Sequence, residues 1–284
     1  MHSQYTALQN LIRDVDQHPF QVVAISSGKG GVGKSTLTVN LAYALQKLGK
    51  RVLVLDADLA LGNVDILLDE RPKYNLGDVI AGERNINEIV YNSKYGFKFI
   101  PAASGLEKLA NLSRQEQLLL MSSLKELALD FDFMLVDTAA GIDDKVVNFC
   151  LAADKTTVIT TPDPTAITDS YALARLLSKY KPPTMELGIL VNMVSSIKEG
   201  QEIYLGMNRI FERFTGNTLE YFGCIRFDKN VSESIRKRVL TIDKFPNSKF
   251  SQDVSSFAEF LLTGERKHKE TNFWKRFFSN MVKI

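Results

Sequence analysis

"FQVVAISSGKGGVGKSTLTVNLAYAL", residues 20–45, decides the fold of this chain. A β-branched apolar run, a glycine-rich turn and a helical pattern follow one another without a break. Gly28 to Ser35 reads G-K-G-G-V-G-K-S, the G-x-x-x-x-G-K-[ST] spacing of a phosphate-binding loop. Gly28, Gly30, Gly31, Val32 and Gly33 form the cradle. Glycines let successive backbone N–H groups converge on phosphate oxygens with no Cβ in the way, and the following helix adds its positive end. Lys34 reaches the β- and γ-phosphates of a nucleotide, and the Ser35 hydroxyl is placed for Mg2+. The loop pattern does not require the second lysine, Lys29.

Outward from that loop, apolar strand runs alternate with helical ones. Strands are predicted at 20–27, 51–57, 97–102, 131–138, 155–161, 186–194 and 219–225, with a further short run at 239–242. Helices are predicted at 34–48, 114–129, 166–180 and 199–214, and Ser113 with Glu116 has capping-box spacing. Several strands are almost continuously apolar, as parallel strands covered on both faces require. The predicted fold is α/β: a doubly wound, mostly parallel sheet with helices on both faces. Three parts are expected: an amphipathic segment over 1–19, one domain over 20–263, and a charged linker with an amphipathic helix over 264–284.

The bulk numbers exclude several classes. With 35 basic against 33 acidic residues the net charge is +2, so no global field argues for nucleic acid. All three histidines lie in the terminal segments, which argues against a His-based catalytic or zinc centre. Cys150 and Cys224 stand far apart in apolar settings and suggest buried thiols in a reducing compartment. No apolar run approaches transmembrane length, and no signal peptide is evident, so a cytoplasmic protein is expected.

A phosphate-binding loop needs an acidic residue at the end of a neighbouring strand. "FMLVDTAAG" presents Asp137 in that way, and "VLVLDADLALGNVD" presents Asp56 and Asp58 two residues apart, on one side of an extended chain. Carboxylates so close to a triphosphate are tolerable if they face Mg2+ or a water. The alternative is that one of the Asp56–Asp58 pair serves as a helix N-cap.

"KGGVGKST" resembles the deviant Walker-A motif of the MinD/ParA class of SIMIBI ATPases, and "LDADLALGNVD" resembles its switch region. Within the class, "GFKFIPAASGLEKLANLS", "TTPDPTAITDSYAL", "LVNMVSS" and "IRFDKNVSESIRKR" resemble the MinD-like regulators of flagellar number and placement (the FlhG, FleN or YlxH type). The resemblance spans nearly all of residues 20–240. It implies that Lys34 and Lys29 are the P-loop and signature lysines, Ser35 a Mg2+ ligand and Thr36 an α-phosphate contact. It further implies that Asp58 orients the attacking water, that Asp56 and Asp137 support the metal through water, and that Asn192 bonds adenine beneath a loop around Asp228. The implied cofactors are ATP and Mg2+, and the implied form is an ATP-dependent homodimer that hydrolyses slowly. Lys29 would then reach the partner's phosphates, in the manner of an arginine finger. The chain departs from the flagellar pattern at Ala139 (usually Gly) and Arg226 (usually Pro). The family's N-terminal activator motif is matched convincingly at Gln4 alone, which bears on the expected partner, an SRP-type GTPase of the FlhF kind, alongside flagellar basal-body or regulatory proteins.

Two amphipathic ends complete the reading. Leu8, Leu11, Ile12 and Val15 share one helical face, for docking on the domain or on a partner. Phe273, Trp274, Phe277, Phe278, Met281 and Val282 recur at helical spacing beside Lys275, Arg276 and Lys283. That pattern fits a helix in the membrane interface, the alternative being one packed on its own domain or on a partner protein; the resemblance adds to the membrane reading and implies a peripheral place on the inner face of the cell membrane. The competing readings are a cell-division MinD, a ParA-type DNA-segregation ATPase and a P-loop small-molecule synthetase or kinase.

Overall fold

The computed structural model describes residues 20–58, 62–102, 123, 126–263, 273, 276 and 277. Seven of the predicted runs are strands, namely β1 (Gln21–Ser27), β2 (Val52–Ala57), β4 (Lys98–Ile100), β5 (Phe133–Ala140), β6 (Lys155–Thr160), β7 (Glu186–Val194) and β8 (Glu220–Arg226), and a two-residue β3 (Tyr91–Asn92) that the sequence does not announce joins them. They form one sheet in the order β3-β4-β2-β5-β1-β6-β7-β8. Every pairing is parallel except β3 with β4. The central strands are buried along most of their length, which is why the sequence reads there as unbroken apolar runs.

Helices cover both faces. One layer holds α1 (Lys34–Lys47), α2 (Val64–Leu68) and, near the C-terminus, α7 (Lys229–Lys237), α8 (Thr241–Lys244) and α9 (Lys249–Thr263). A short α3 (Leu76–Ile80) follows α2 in the chain. The other layer holds α4 (Asp144–Ala152), α5 (Pro164–Tyr180) and α6 (Ile197–Thr215). The chain winds outward from β1 through β2 and β4, returns through β5, then continues on the other side of β1 through β6 to β8. The winding therefore reverses around β1, and ligands of open α/β sheets bind at such points, beyond the carboxyl ends of the strands.

Two local expectations are corrected. The apolar run at 239–242 is not a strand: Thr241–Lys244 is the short helix α8. Its N–H at Ile242 donates to Asn40 Oδ1 on α1 at 3.0 Å, so tertiary anchoring overrides β-propensity in a run too short for periodicity to decide. The helix predicted at 166–180 starts two residues earlier, at Pro164, because Asp163 accepts from Thr165 N (2.8 Å) as its N-cap and proline suits the first turn. Of the helix predicted at 114–129, residues 123 and 126–128 are helical and 129 lies in a turn; 114–122, 124 and 125, with Ser113, lie outside the described residues, as does the segment 1–19.

The C-terminal segment departs from a free membrane-facing helix. Phe273 and Phe277 are 1% and 3% exposed, within the core of the α4–α6 layer. The Phe277 ring stacks on Phe149 of α4 with centroids 4.5 Å apart, and Arg276 donates to Asp154 at 2.6 Å. In this conformation Phe273, Arg276 and Phe277 pack on the domain. Trp274, Phe278, Met281 and Val282 lie outside the described residues. No helix among the described residues is long and apolar enough to cross a membrane.

Candidate nucleotide site

The C-terminal ends of β1, β2, β5, β7 and β8 deliver the residues singled out by sequence to one edge of the sheet. Between β1 and α1 the chain turns through Gly31 (φ 77°) and Gly33 (φ 92°), backbone that side chains other than glycine rarely adopt. Space is equally demanding. A Cβ on Gly33 would sit 2.7 Å from Asn192 Nδ2, and one on Gly28 would sit 2.2 Å from the Asp169 carbonyl of α5. The cradle is thus wedged between β7 and α5.

Lys34 opens α1 and is buried. Its Nζ donates to Ser27 Oγ (3.0 Å), and Ser27 Oγ donates in turn to the Lys29 carbonyl (2.7 Å). Burial lowers the Lys34 pKa, opposed by the charges of Asp137 and Asp58, which places both carboxylates within electrostatic reach of the ammonium. Thr36 lies in the first turn of α1, where its carbonyl accepts from Asn40 Nδ2 (2.7 Å).

Asp56 and Asp137 are direct neighbours across β2 and β5. Asp137 is fully buried and shares hydrogen bonds with Ser35 and Thr38. Burial, with Asp56's charge adding to it, pushes its pKa up to about 7. One of its oxygens, Oδ2, is buried with no hydrogen-bond partner. An orphaned carboxylate oxygen beside a serine hydroxyl at a phosphate loop is the donor set that Mg2+ favours, directly or through water. Among the described residues no group of three or more His, Cys, Asp or Glu could hold a metal, so this ion would draw its other ligands from phosphate and water.

Asp56 answers the N-cap alternative. Its Oδ2 accepts from Asn63 N (3.0 Å) and Val64 N (3.1 Å) at the start of α2, and Oδ1 accepts from Asp58 N (3.1 Å). Burial raises its pKa to about 6 despite those N–H groups. Asp56 therefore anchors both ends of the loop that carries Asp58. Asp58 itself lies just past β2.

Lys29 turns away from its own cradle. Its Nζ pairs with Asp163 Oδ2 (2.8 Å) and also donates to Thr165 Oγ1 at the start of α5. The Lys29 ammonium, with Thr165, holds the Asp163 carboxyl well below the usual carboxylate range. The "PDPT" stretch announces a helix cap followed by proline; its role as the partner of Lys29, 134 residues away, becomes visible only in the fold.

Near the end of β7, Asn192 Nδ2 donates to Val32 O (2.7 Å), while Oδ1 accepts from Met193 N (2.9 Å). Asn192 thus braces the loop and retains one amide hydrogen for a ligand. Asp228 caps α7 through Asn230 N (2.9 Å) and reaches Phe250 N of α9 (3.4 Å). Burial works against its charge, yet these N–H groups hold its pKa below the ordinary value. Its carboxylate is engaged in holding helices, so any role toward a base is exercised through the loop's position.

Comparison with known proteins adds four findings. The profile of an AAA-domain family matches residues 20–183. The chain is 39% identical over 242 residues to the antiactivator FleN of Pseudomonas aeruginosa, covering 85% of this chain and 86% of that protein. It is 35% identical over 274 residues to the flagellum site-determining protein YlxH of Helicobacter pylori, covering 93% and 91%. Among solved structures, the cell-division ATPase MinD of Pyrococcus furiosus superposes with a TM-score of 0.68 at 26% identity, covering 85% of this chain and 98% of that one.

Proposed function

The chain belongs to the MinD/ParA class of P-loop ATPases, alongside the flagellar regulators FleN and YlxH, and on that premise we propose that it is an ATP-driven switch governing flagellar number or placement at the cytoplasmic membrane. The observation that carries the switch is the pair of loop lysines. Lys34 points into the cradle toward Ser27, Asp137 and Asp58, while Lys29 leaves it and is held on α5. A second cation directed away from its own phosphates serves a nucleotide bound to another subunit. ATP brings two copies face to face, each Lys29 exchanges Asp163 for the partner's phosphates, and hydrolysis separates them. Ser35, with Asp137 and Asp56 through water, would hold Mg2+, which would neutralise phosphate charge; Asp56 fixes the loop on which Asp58 would position the attacking water. The amphipathic segment before β1 is offered to a GTPase of the FlhF kind, and basal-body or regulatory proteins read the dimer.

The tail gives the switch a membrane output. Phe273 and Phe277 face the core here and cannot insert into lipid at the same time. Each tail is short and anchors weakly; two released tails on one dimer gain by avidity. Asp154→Asn removes the charge that holds Arg276 and leaves the apolar face intact. Co-sedimentation with anionic liposomes is expected to show the wild type bound with ATP and largely free with ADP. The variant will bind several-fold more than wild type with ADP. Equal binding of wild type in both nucleotides overturns the coupling.

The function itself is tested by deletion. Altered flagellar number or position with normal cell length supports the reading, whereas minicells with normal flagella assign the chain to division-site selection instead.

A further inference from the structure

The run "SESIRKR" at 232–238 ends α7 and takes no part in the nucleotide site. Lys237 bonds Glu233 at 2.6 Å and, with Arg236 and with Lys244 of α8, holds that carboxyl below its ordinary pKa, so three cations crowd round one acid. The next residue, Arg238, pairs with Asp69 at the end of α2 (2.9 Å), and Lys94 and Arg71 act on the same carboxylate. Tyr43 of α1 and Tyr95 join the two groups. Their rings meet edge-on at 5.6 Å, Tyr43 donates to Asp243 of α8 (2.8 Å), and Tyr95 accepts from Leu240 N (3.1 Å). Lys47 lies over the Tyr43 ring and Lys94 over the Tyr95 ring.

The layer of α1, α2, α7 and α8 thus presents seven exposed cations on one face, with four carboxylates among them: Asp69, Glu70, Glu233 and Asp243. That excess is larger than the +2 of the whole chain, so the remainder of the chain is net acidic. The Lys237–Glu233 and Arg238–Asp69 pairs are exposed and weak, and their cations re-pair with an incoming anion at little cost. Ile235 and Leu48, next in the chain to Arg236 and Lys47, are 42% and 43% exposed. The helix α9 belongs to the same layer, so the chain leaves it for the tail after Thr263, through a stretch that adds Arg266, Lys267 and Lys269.

We infer that this face is a second lipid-binding surface, which lies against anionic headgroups when the tail enters the bilayer. The inference rests on the membrane reading above and supplies what a short tail lacks. One weak apolar anchor holds a protein only marginally, and a basic patch is the second signal that makes the attachment stable. The exposed aliphatic side chains select lipid over a nucleic acid backbone. Ile235 and Leu48 gain by entering the headgroup layer and find nothing apolar on a row of phosphates.

The full chain carrying Arg236→Gln and Lys244→Gln tests this, since the bond to Glu233 is made by Lys237 and survives. Co-sedimentation with vesicles of phosphatidylglycerol and phosphatidylcholine, with ATP and Mg2+, reads the affinity. A cation near an anionic surface is worth roughly fivefold, so the double variant will bind about tenfold or more weaker than wild type and with a shallower salt dependence. Its melting temperature and its binding to pure phosphatidylcholine vesicles will match wild type. If the double variant binds the anionic vesicles as well as wild type does, the inference is overturned and the tail alone carries the membrane reading. A variant that keeps vesicle binding and loses binding to a DNA duplex assigns the face to nucleic acid and overturns it as well. If wild type binds no anionic vesicle in either nucleotide, the membrane reading falls and takes this inference with it.

Discussion

Lys29→Ala will bind ATP about as tightly as the wild type and will lose ATP-dependent dimerisation together with most of its turnover. The Nζ it removes lies on Asp163 and Thr165, outside its own cradle, whereas Lys34, Ser35 and the loop glycines that hold the nucleotide are untouched. A cation delivered to a neighbouring phosphoryl group is worth roughly 10³-fold or more in rate, so the loss should be of that order in single-turnover assays. Light scattering with a non-hydrolysable ATP analogue reads the dimer. Asp163→Asn is the complementary variant. It frees Lys29 from an exposed ion pair worth about 1 kcal/mol or less, so dimerisation will shift a few-fold toward lower ATP concentration. An ATP-dependent dimer of Lys29→Ala with full turnover would refute the trans role.

Asp137→Asn will abolish Mg2+-dependent hydrolysis and will stabilise the nucleotide-free protein at alkaline pH. The carboxyl is fully buried, its Oδ2 has no hydrogen-bond partner, and burial pushes its pKa to about 7. A carboxyl whose folded pKa lies above its unfolded value of about 4 favours folding below pH 4, and that advantage is lost as pH rises through about 7. Asparagine has no such slope. In thermal melts without nucleotide the variant will therefore overtake the wild type above pH 7, by an amount of the order of a few kcal/mol. Saturating Mg2+ and ATP will reverse the order, because the ion supplies the orphaned oxygen's partner in the wild type alone. A wild type that stays the more stable of the two at pH 8 without nucleotide would mean that Asp137 is not held as a strained, metal-seeking carboxylate.

These outcomes depend on features of different legibility. The strand–loop–helix at 20–45 was readable because its chemistry is local: glycine backbone freedom, helix start and lysine spacing all lie within consecutive residues. Asp137 and the Asp56–Asp58 pair were readable as carboxylates ending apolar strands. The short pieces were not. Tyr91–Asn92 is held as a strand by pairing with Lys98–Phe99, and Thr241–Lys244 is held as a helix by Asn40 and its layer.

By itself the sequence determined the α/β class, the phosphate loop, the set of acidic residues around it and the amphipathic character of both ends, since each of these follows from period, spacing or residue type. Tertiary structure alone decided which partner each polar group takes. It set Lys29 on Asp163 and Arg226 on Asp253, put Asp56 to work as an anchor for the switch loop, and packed Phe273 and Phe277 into the domain. The physical reason is common to all four. An ion pair, a cap or a buried ring is chosen by distances between separate elements, near in the chain for Asp56 and far for the others, and those distances exist only once the elements have packed together.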